Sequence, residues 1–301
     1  MSRSVKRAPT LGDAAGQRRA LIEWYEPRRC AYPWRRTRDP YAILVSEIML
    51  QQTQAARVAP AFERFLTAFP TLRALAGASV ADVLRAWDGL GYNRRAVALS
   101  RAARTIVEAH AGGVPSDLVA LRALPGVGPY TAAAVASISF GTPVAAIDTN
   151  VRRVARRVVL GDDAADEARI DRMAAAWLDR SRPGDWNQAV MDLGRAFCSP
   201  RPACGGCPLR SSCLFARAGS SPAPPRRRQA PFAGSSRQVR GDVVGVLRRS
   251  GSVSIAALVA STGHEPERVR GAVAALAADG LVRAGRAALA GAQRGRVRLA
   301  T

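Results

Sequence analysis

Lysine is almost absent from this 301-residue chain, Lys6 being the only one among 45 basic residues. The arginine bias reads as codon preference, but its chemical consequence holds whatever its origin: no folded-domain lysine can form a Schiff base with a sugar aldehyde. Histidine is nearly as scarce. His110 and His264 fall in polar helix-end or turn contexts, which speaks against histidine-based catalysis or metal binding. The N-terminus, MSRSVKRAPT, lacks the apolar core of a secretory signal. The long uncharged run from Pro129 to Ile147 is broken at Gly141-Thr142-Pro143, so it reads as a buried helix followed by a turn, not as a membrane span.

Acidic residues are outnumbered as well: 45 Lys and Arg against 23 Asp and Glu give a net charge of +22 and a pI near 11.5. That balance points to a polyanionic partner, nucleic acid ahead of an anionic membrane. The length suggests about two domains.

Residues 1–15 are basic and polar and are expected to be disordered, and helical patterning begins near Ala15. The loop Cys30-Ala31-Tyr32-Pro33-Trp34-Arg35-Arg36 follows, an aromatic and arginine-rich segment in which Arg35 or Arg36 is expected at a phosphate. In the next helix, Pro40 to Gln54, Glu47 is the only charge among Tyr41, Ile43, Leu44, Val45, Ile48, Met49 and Leu50. Burial there would raise its pKa toward what a general acid needs near neutral pH; a Glu on the solvated side of an amphipathic helix is the bland alternative. Gln51-Gln52-Thr53-Gln54 closes the helix with neutral hydrogen-bonding side chains. Helices are expected at Val58 to Ala68, Val80 to Asp88 and Arg94 to Ala111. The turn Gly89-Leu90-Gly91-Tyr92 sets a tyrosine beside Arg94 and Arg95, where it could stack on or wedge between bases.

From Asp117 the spacing of Leu118, Leu121 and Leu124 predicts a helix. Pro125-Gly126-Val127-Gly128 breaks it and Pro129 opens another, giving a helix-hairpin-helix. Gly126 and Gly128 would let backbone amides approach a phosphate at the new helix's N-terminus, although the tetrapeptide alone fits an ordinary helix corner equally well. Asp148 suits the N-cap of a helix from Val151 to Leu160. Two further helices, near Asp166 to Asp179 and Asp185 to Phe197, complete an all-α region over 16–197. Cys198, Cys204, Cys207 and Cys213 then form C-x5-C-x2-C-x5-C within 198–215. One tight loop of four thiols fits an iron-sulfur cube better than the paired hooks of zinc sites; Cys30 is left over. A Pro/Ser/Arg linker covers 216–236, and 237–301 shows three helices and two short strands, the order of a small winged-helix-like domain whose third helix could enter a groove.

With SEIMLQQTQ at 46–54, GLGY at 89–92, LPGVGPYTAAAVAS at 124–137, IDTNVRRV at 147–154 and the cysteine loop in this order, the chain resembles the helix-hairpin-helix DNA glycosylases, most closely the adenine-specific MutY-like ones. The resemblance, over about Leu21 to Cys213, implies an all-α glycosylase fold with a 4Fe-4S cluster on the four cysteines. It also implies duplex DNA with a mismatched or damaged base pair as partner, and a monomer located in the cytoplasm at the nucleoid. By similarity Glu47 protonates the flipped adenine at N7 and Asp148 stabilises the charge developing on the sugar. Asn150 orders the catalytic water, and Tyr130 stands where lyase relatives carry a lysine, implying base removal without strand cleavage. Gln51, Gln52, Thr53, Leu90 and Tyr92, with Arg35, Gly126 and Gly128, would contact DNA. Thymine or uracil mismatch glycosylases share the Tyr and Asp pair, and an iron-sulfur redox-sensing DNA-binding regulator without catalysis is a further reading. The chain departs from the family in its shortened first cysteine spacing, in Thr149 after Asp148, in Cys30 where an arginine is usual, and in lacking the larger C-terminal domain that relatives use on 8-oxoguanine.

Overall fold

The computed structural model describes residues 13–163, 165–219, 231–290 and 292–301. The tail at 1–12 with Lys6, the linker stretch 220–230 and the side chain of Cys30 lie outside the described residues. The chain divides into two compact units, one drawn from Met1–Ile43 and Gly128–Arg226, the other from Leu44–Val127 and Arg227–Thr301.

In the first unit, helix Ala14–Tyr25 is started by Asp13, whose carboxylate accepts from the Gly16 amide at 2.9 Å. It buries Leu21, Ile22 and Tyr25 against Thr149–Ala155, Glu167–Trp177 and Pro183–Ala196. Trp177 and Trp186 meet edge to face at 5.3 Å in the middle of this core, both fully buried; truncating either to Ala removes about 3–5 kcal/mol. The expected helix from Val151 to Leu160 is two elements, Thr149–Ala155 and a π-helical turn Arg156–Leu160 ended by Gly161. The wider turn lets Arg157 fold inward, where it pairs with Asp163 at 3.0 Å.

The second unit begins inside helix Pro40–Leu50 and continues through Ala55–Ala68, Leu72–Gly77, Val80–Ala86 and Arg94–Ala109 to Leu118–Ala123. Val58, Ala61, Phe62 and Phe65 line one face of their helix at 3.6-residue spacing, and Phe65 packs edge-on to Trp87 at 5.8 Å. The short helix Leu72–Gly77, capped by Thr71, has no counterpart in the expectations from periodicity.

The C-terminal elements group with this unit. They are Ser236–Ser250, β1 (Val253–Ser254), Ile255–Thr262, Pro266–Ala278, β2 (Val282–Ala284), Arg286–Leu289 and β3 (Arg296–Leu299). The sheet is antiparallel in the order β1-β3-β2. Val282, Val297 and Leu299 face inward and are buried, while Arg283, Arg296 and Arg298 alternate with them and are exposed. No helix among the described residues is long and apolar enough to cross a membrane.

Candidate active site and cysteine loop

Of the predicted site residues, Glu47, Gln51, Gln52, Thr53, Leu90, Tyr92 and Gly126 lie in the second unit. Arg35, Gly128, Tyr130, Asp148, Asn150 and the four cysteines lie in the first.

Helix Pro40–Leu50 is apolar almost all round, so its carboxylate has little water to turn to. Glu47 is 5 % exposed, beside Ser46 and Ile48 at 0 %. The bland alternative, a solvated glutamate, is therefore not what this helix presents. The helix ends where Gln52 enters the left-handed region at φ 56°, and its last carbonyls need partners. Arg95 supplies them. Its guanidinium donates to the carbonyls of Ile48 (2.9 Å), Met49 (2.7 Å) and Gln51 (2.5 Å), to Thr53 Oγ1 (3.0 Å), and to Leu90 and Gly91 in the glycine loop (3.2 Å each). Burial lowers its pKa to about 10, so it stays charged at neutral pH. The same group lies over the rings of Trp87 and Tyr92 at 5.4 and 5.5 Å. Sequence reasoning noticed Arg95 only as a neighbour of the loop; a hub built from backbone carbonyls leaves no spacing signal. Within the loop Tyr92 is 41 % exposed and Leu90 only 3 %, so the tyrosine is the side chain presented to solvent.

The hairpin forms as expected. Asp117 caps Leu118–Ala123 through the Val119 and Ala120 amides, both 2.9 Å, and Gly128 caps Pro129–Phe140. Its two glycines differ in purpose. Gly126 has φ 80° and a Cβ there would lie 2.8 Å from Ala98 Cβ, so internal packing alone requires it. Gly128 has nothing within 4 Å of a Cβ position, so its backbone faces open space. Gln51 Nε2 reaches the Gly126 carbonyl at 3.4 Å.

In the first unit Asp148 caps helix Thr149–Ala155, accepting from the Val151 amide at 2.7 Å and from Asn150 Nδ2 at 2.8 Å. Asn150 is oriented in turn by Arg153, which donates to its Oδ1 at 2.7 Å. Gly194 makes room for this arrangement, since a Cβ there would meet Asn150 Cβ at 2.8 Å. Asn187, fully buried and not singled out from sequence, ties down the segment leading to Asp148. It accepts from the Ala146 amide (2.8 Å) and donates to Ser137 Oγ and the Val144 carbonyl (both 2.9 Å). The Tyr130 hydroxyl donates to Met191 Sδ at 3.5 Å. Arg35, expected at a phosphate, has a side chain 9 % exposed and pairs with Asp192 at 3.1 Å inside the fold; Arg36 is the exposed member of the two.

Cys198, Cys204, Cys207 and Cys213 line one pocket with Arg157, Phe197 and Phe215. Arg157 Nη1 reaches Cys198 Sγ at 3.7 Å and the Ser199 carbonyl at 2.7 Å, and Arg153 donates to the Cys198 carbonyl. Burial pushes the Cys207 thiol up to about 11 and raises those of Cys198 and Cys213. Among the described residues no three metal-ligating side chains converge closely enough to hold a single ion.

Residues 45–180 match the model of the HhH-GPD superfamily base excision DNA repair proteins. An adenine DNA glycosylase of Mycolicibacterium smegmatis is 42 % identical over 279 residues, covering 90 % of this chain and 95 % of that one. One from Mycobacterium tuberculosis is 45 % identical over 236 residues, covering 76 % and 77 %. A solved thermostable thymine-DNA glycosylase superposes with a TM-score of 0.62 at 29 % identity, over 68 % of this chain and 100 % of that one. A match over 90 % of the chain is longer than residues 1–236, so the likeness to the first relative extends into the C-terminal elements. By this likeness over nearly its whole length, the chain belongs to the adenine DNA glycosylases, the MutY-like members of the HhH-GPD superfamily of base excision DNA repair proteins.

Proposed function

We propose that this adenine DNA glycosylase hydrolyses the N-glycosidic bond of adenine mispaired with 8-oxoguanine or guanine in duplex DNA, and stops at the abasic product. The observation that carries the reading is Glu47, a carboxyl 5 % exposed in an otherwise apolar helix. In this reading Glu47 acts as the general acid and delivers a proton to the departing base at N7, which converts a poor leaving group into a neutral one. Asp148 has the opposite surroundings. Two N–H donors at 2.7 and 2.8 Å fix its carboxyl group, which is read as facing the positive charge that develops on the sugar. One carboxyl group serving as acid and a second facing the sugar is the division of labour of glycoside hydrolysis generally. Asn150, its amide fixed between Asp148 and Arg153, is read as the residue that orients the water.

Strand cleavage by a lyase route requires an amine that can form a Schiff base. Tyr130 offers a hydroxyl, and the lone Lys6 belongs to the N-terminal tail. On the DNA side, Gly128 and the amides opening helix Pro129–Phe140 are assigned to a phosphate. Gln51, Gln52, Thr53 and Tyr92 are assigned to the strand opened when the base is flipped.

The cysteine loop is read as the seat of a 4Fe-4S cluster. Cys198, Cys204, Cys207 and Cys213 line one pocket, and their four thiols would hold the cluster. When bound, the cluster supplies four metal–thiolate bonds that lock the loop at 198–213; the thiols, raised by burial, give up their protons to form them.

The test uses purified protein and duplexes carrying A:8-oxoG, A:G, T:G or U:G, followed by alkaline cleavage of abasic sites. Cleavage confined to adenine strands opposite 8-oxoguanine or guanine is the expected result. Cleavage of the T strand alone would establish instead the thymine reading that the structural neighbour raises.

A further inference from the structure

From Gly280 to Thr301 the chain carries five arginines, at 283, 286, 294, 296 and 298, and no aspartate or glutamate. All five are exposed, and among the described residues none is paired with a carboxylate. Arg296 donates to Ser252 Oγ at 3.2 Å and its carbonyl at 2.8 Å. Strand alternation puts Arg283, Arg296 and Arg298 on the outer face of the sheet, and the register sets Arg283 directly opposite Arg298. Like charges facing each other across an antiparallel pair are destabilising, a penalty that a polyanion laid over them would reverse.

Helix Pro266–Ala278, the one expected to enter a groove, has the opposite character. The stretch from His264 to Asp279 holds two arginines against three acids, and Arg270 is engaged with Glu267 at 2.6 Å. Beyond Glu267 and Arg268 its exposed positions are Pro266, Gly271, Ala274 and Ala278, none with a hydrogen-bonding side chain. Carboxylates at the leading end and methyl groups behind them do not read base edges.

The C-terminal elements are tied to the Gly89–Tyr92 loop within the same unit. Arg248, its side chain 11 % exposed, binds Asp88 Oδ1 and Asn93 Oδ1, the latter at 2.9 Å, at the two ends of the Gly89–Tyr92 loop. Asp279 holds Arg94 at 3.3 Å and also Arg240. A cleft of about 430 Å³ follows, bordered by Arg94, Arg101, Gly126, Ala278 and Asp279, and β2 starts three residues beyond Asp279.

We propose that the arginine face of this sheet, Arg283, Arg296 and Arg298, is a second contact for the phosphate backbone of duplex DNA, independent of sequence, and that helix Pro266–Ala278 is not a reading helix. The choice of DNA as the polyanion rests on the glycosylase reading. Phosphate contacts by arginines release condensed counterions and steepen the salt dependence of binding, with no need for a damaged base.

The experiment measures binding of the full chain to undamaged duplex across a salt series, for the parent, an Arg283→Gln/Arg298→Gln double variant and Arg268→Gln. The slope of log affinity against log salt is expected to become shallower by about 1 per arginine removed, and affinity near 0.1 M salt to fall roughly tenfold or more in the double variant. Arg268→Gln should match the parent. Thermal unfolding of the double variant should occur at or above the parent's temperature, because a like-charge pair is gone. An unchanged slope in the double variant, or a change confined to Arg268→Gln, overturns the proposal. A parent that binds with the arginine-dependent slope but releases no base overturns the glycosylase reading and leaves the contact standing.

Discussion

Glu47 is buried in an apolar helix and Asp148 caps another, and the proposed function gives the two carboxyl groups different roles. Glu47→Gln keeps the shape and hydrogen-bonding capacity of the side chain but has no proton to give. Base release should fall by about 10²- to 10⁴-fold in single-turnover assays, with duplex affinity within a few-fold of the parent; retained turnover would remove Glu47 from its role. A second residue-scale prediction concerns stability. Burial raises the Tyr25 phenol to about 12 while its hydroxyl donates to Gln188 Oε1 at 2.6 Å, and burial raises Tyr41 in the same sense. An acid whose folded pKa exceeds its unfolded value of about 10 contributes its full stability below pH 10 and loses it as pH climbs toward 12. For Tyr25 that loss is about 3 kcal/mol at most. Tyr25→Phe should flatten denaturant-measured stability between pH 10 and 12 relative to the parent; an unaltered profile would contradict the assignment.

Among the elements, the hairpin separates packing from binding. Gly126→Ala forces a side chain into φ 80° and against Ala98, and should lower stability by about 1–3 kcal/mol as well as weaken DNA binding. Gly128→Ala has an ordinary φ of −87° and open space, so unfolding should be unchanged while affinity for duplex drops. Equal melting losses in both variants would contradict this division. The hairpin, the Glu47 helix and the cysteine spacing were legible in the sequence because each is a local pattern: a break between two leucine-spaced turns, one charge in an apolar run, four thiols in sixteen positions. What was not legible is non-local or too short. Leu72–Gly77 offers only Leu72 and Leu75 to periodicity, and the π-helical turn at Arg156–Leu160 looks like continued helix until Arg157 finds Asp163. Arg95 and Asn187, which position the two halves of the candidate machinery, act through backbone carbonyls and amides that have no sequence signature. Arg35 was assigned to DNA because its partner Asp192 lies 157 positions away.

At the scale of the whole molecule, +22 charges make DNA affinity steeply salt-dependent, while chemistry depends on a few groups held rigidly. The cysteine loop closes the first unit over Val158, Leu193 and Phe215. Cys207→Ser should therefore abolish the brown visible absorption expected of a 4Fe-4S protein and lower its melting temperature; a colourless, zinc-containing parent would contradict the cluster. The account as a whole rests on release of adenine with Glu47 as general acid and without strand cleavage. The most direct test is a single-turnover assay of the full chain on an A:8-oxoG duplex, read with and without alkali, beside Glu47→Gln. The account predicts adenine-strand breaks only after alkali, and their loss in the variant. Breaks without alkali, or equal release by Glu47→Gln, would contradict it.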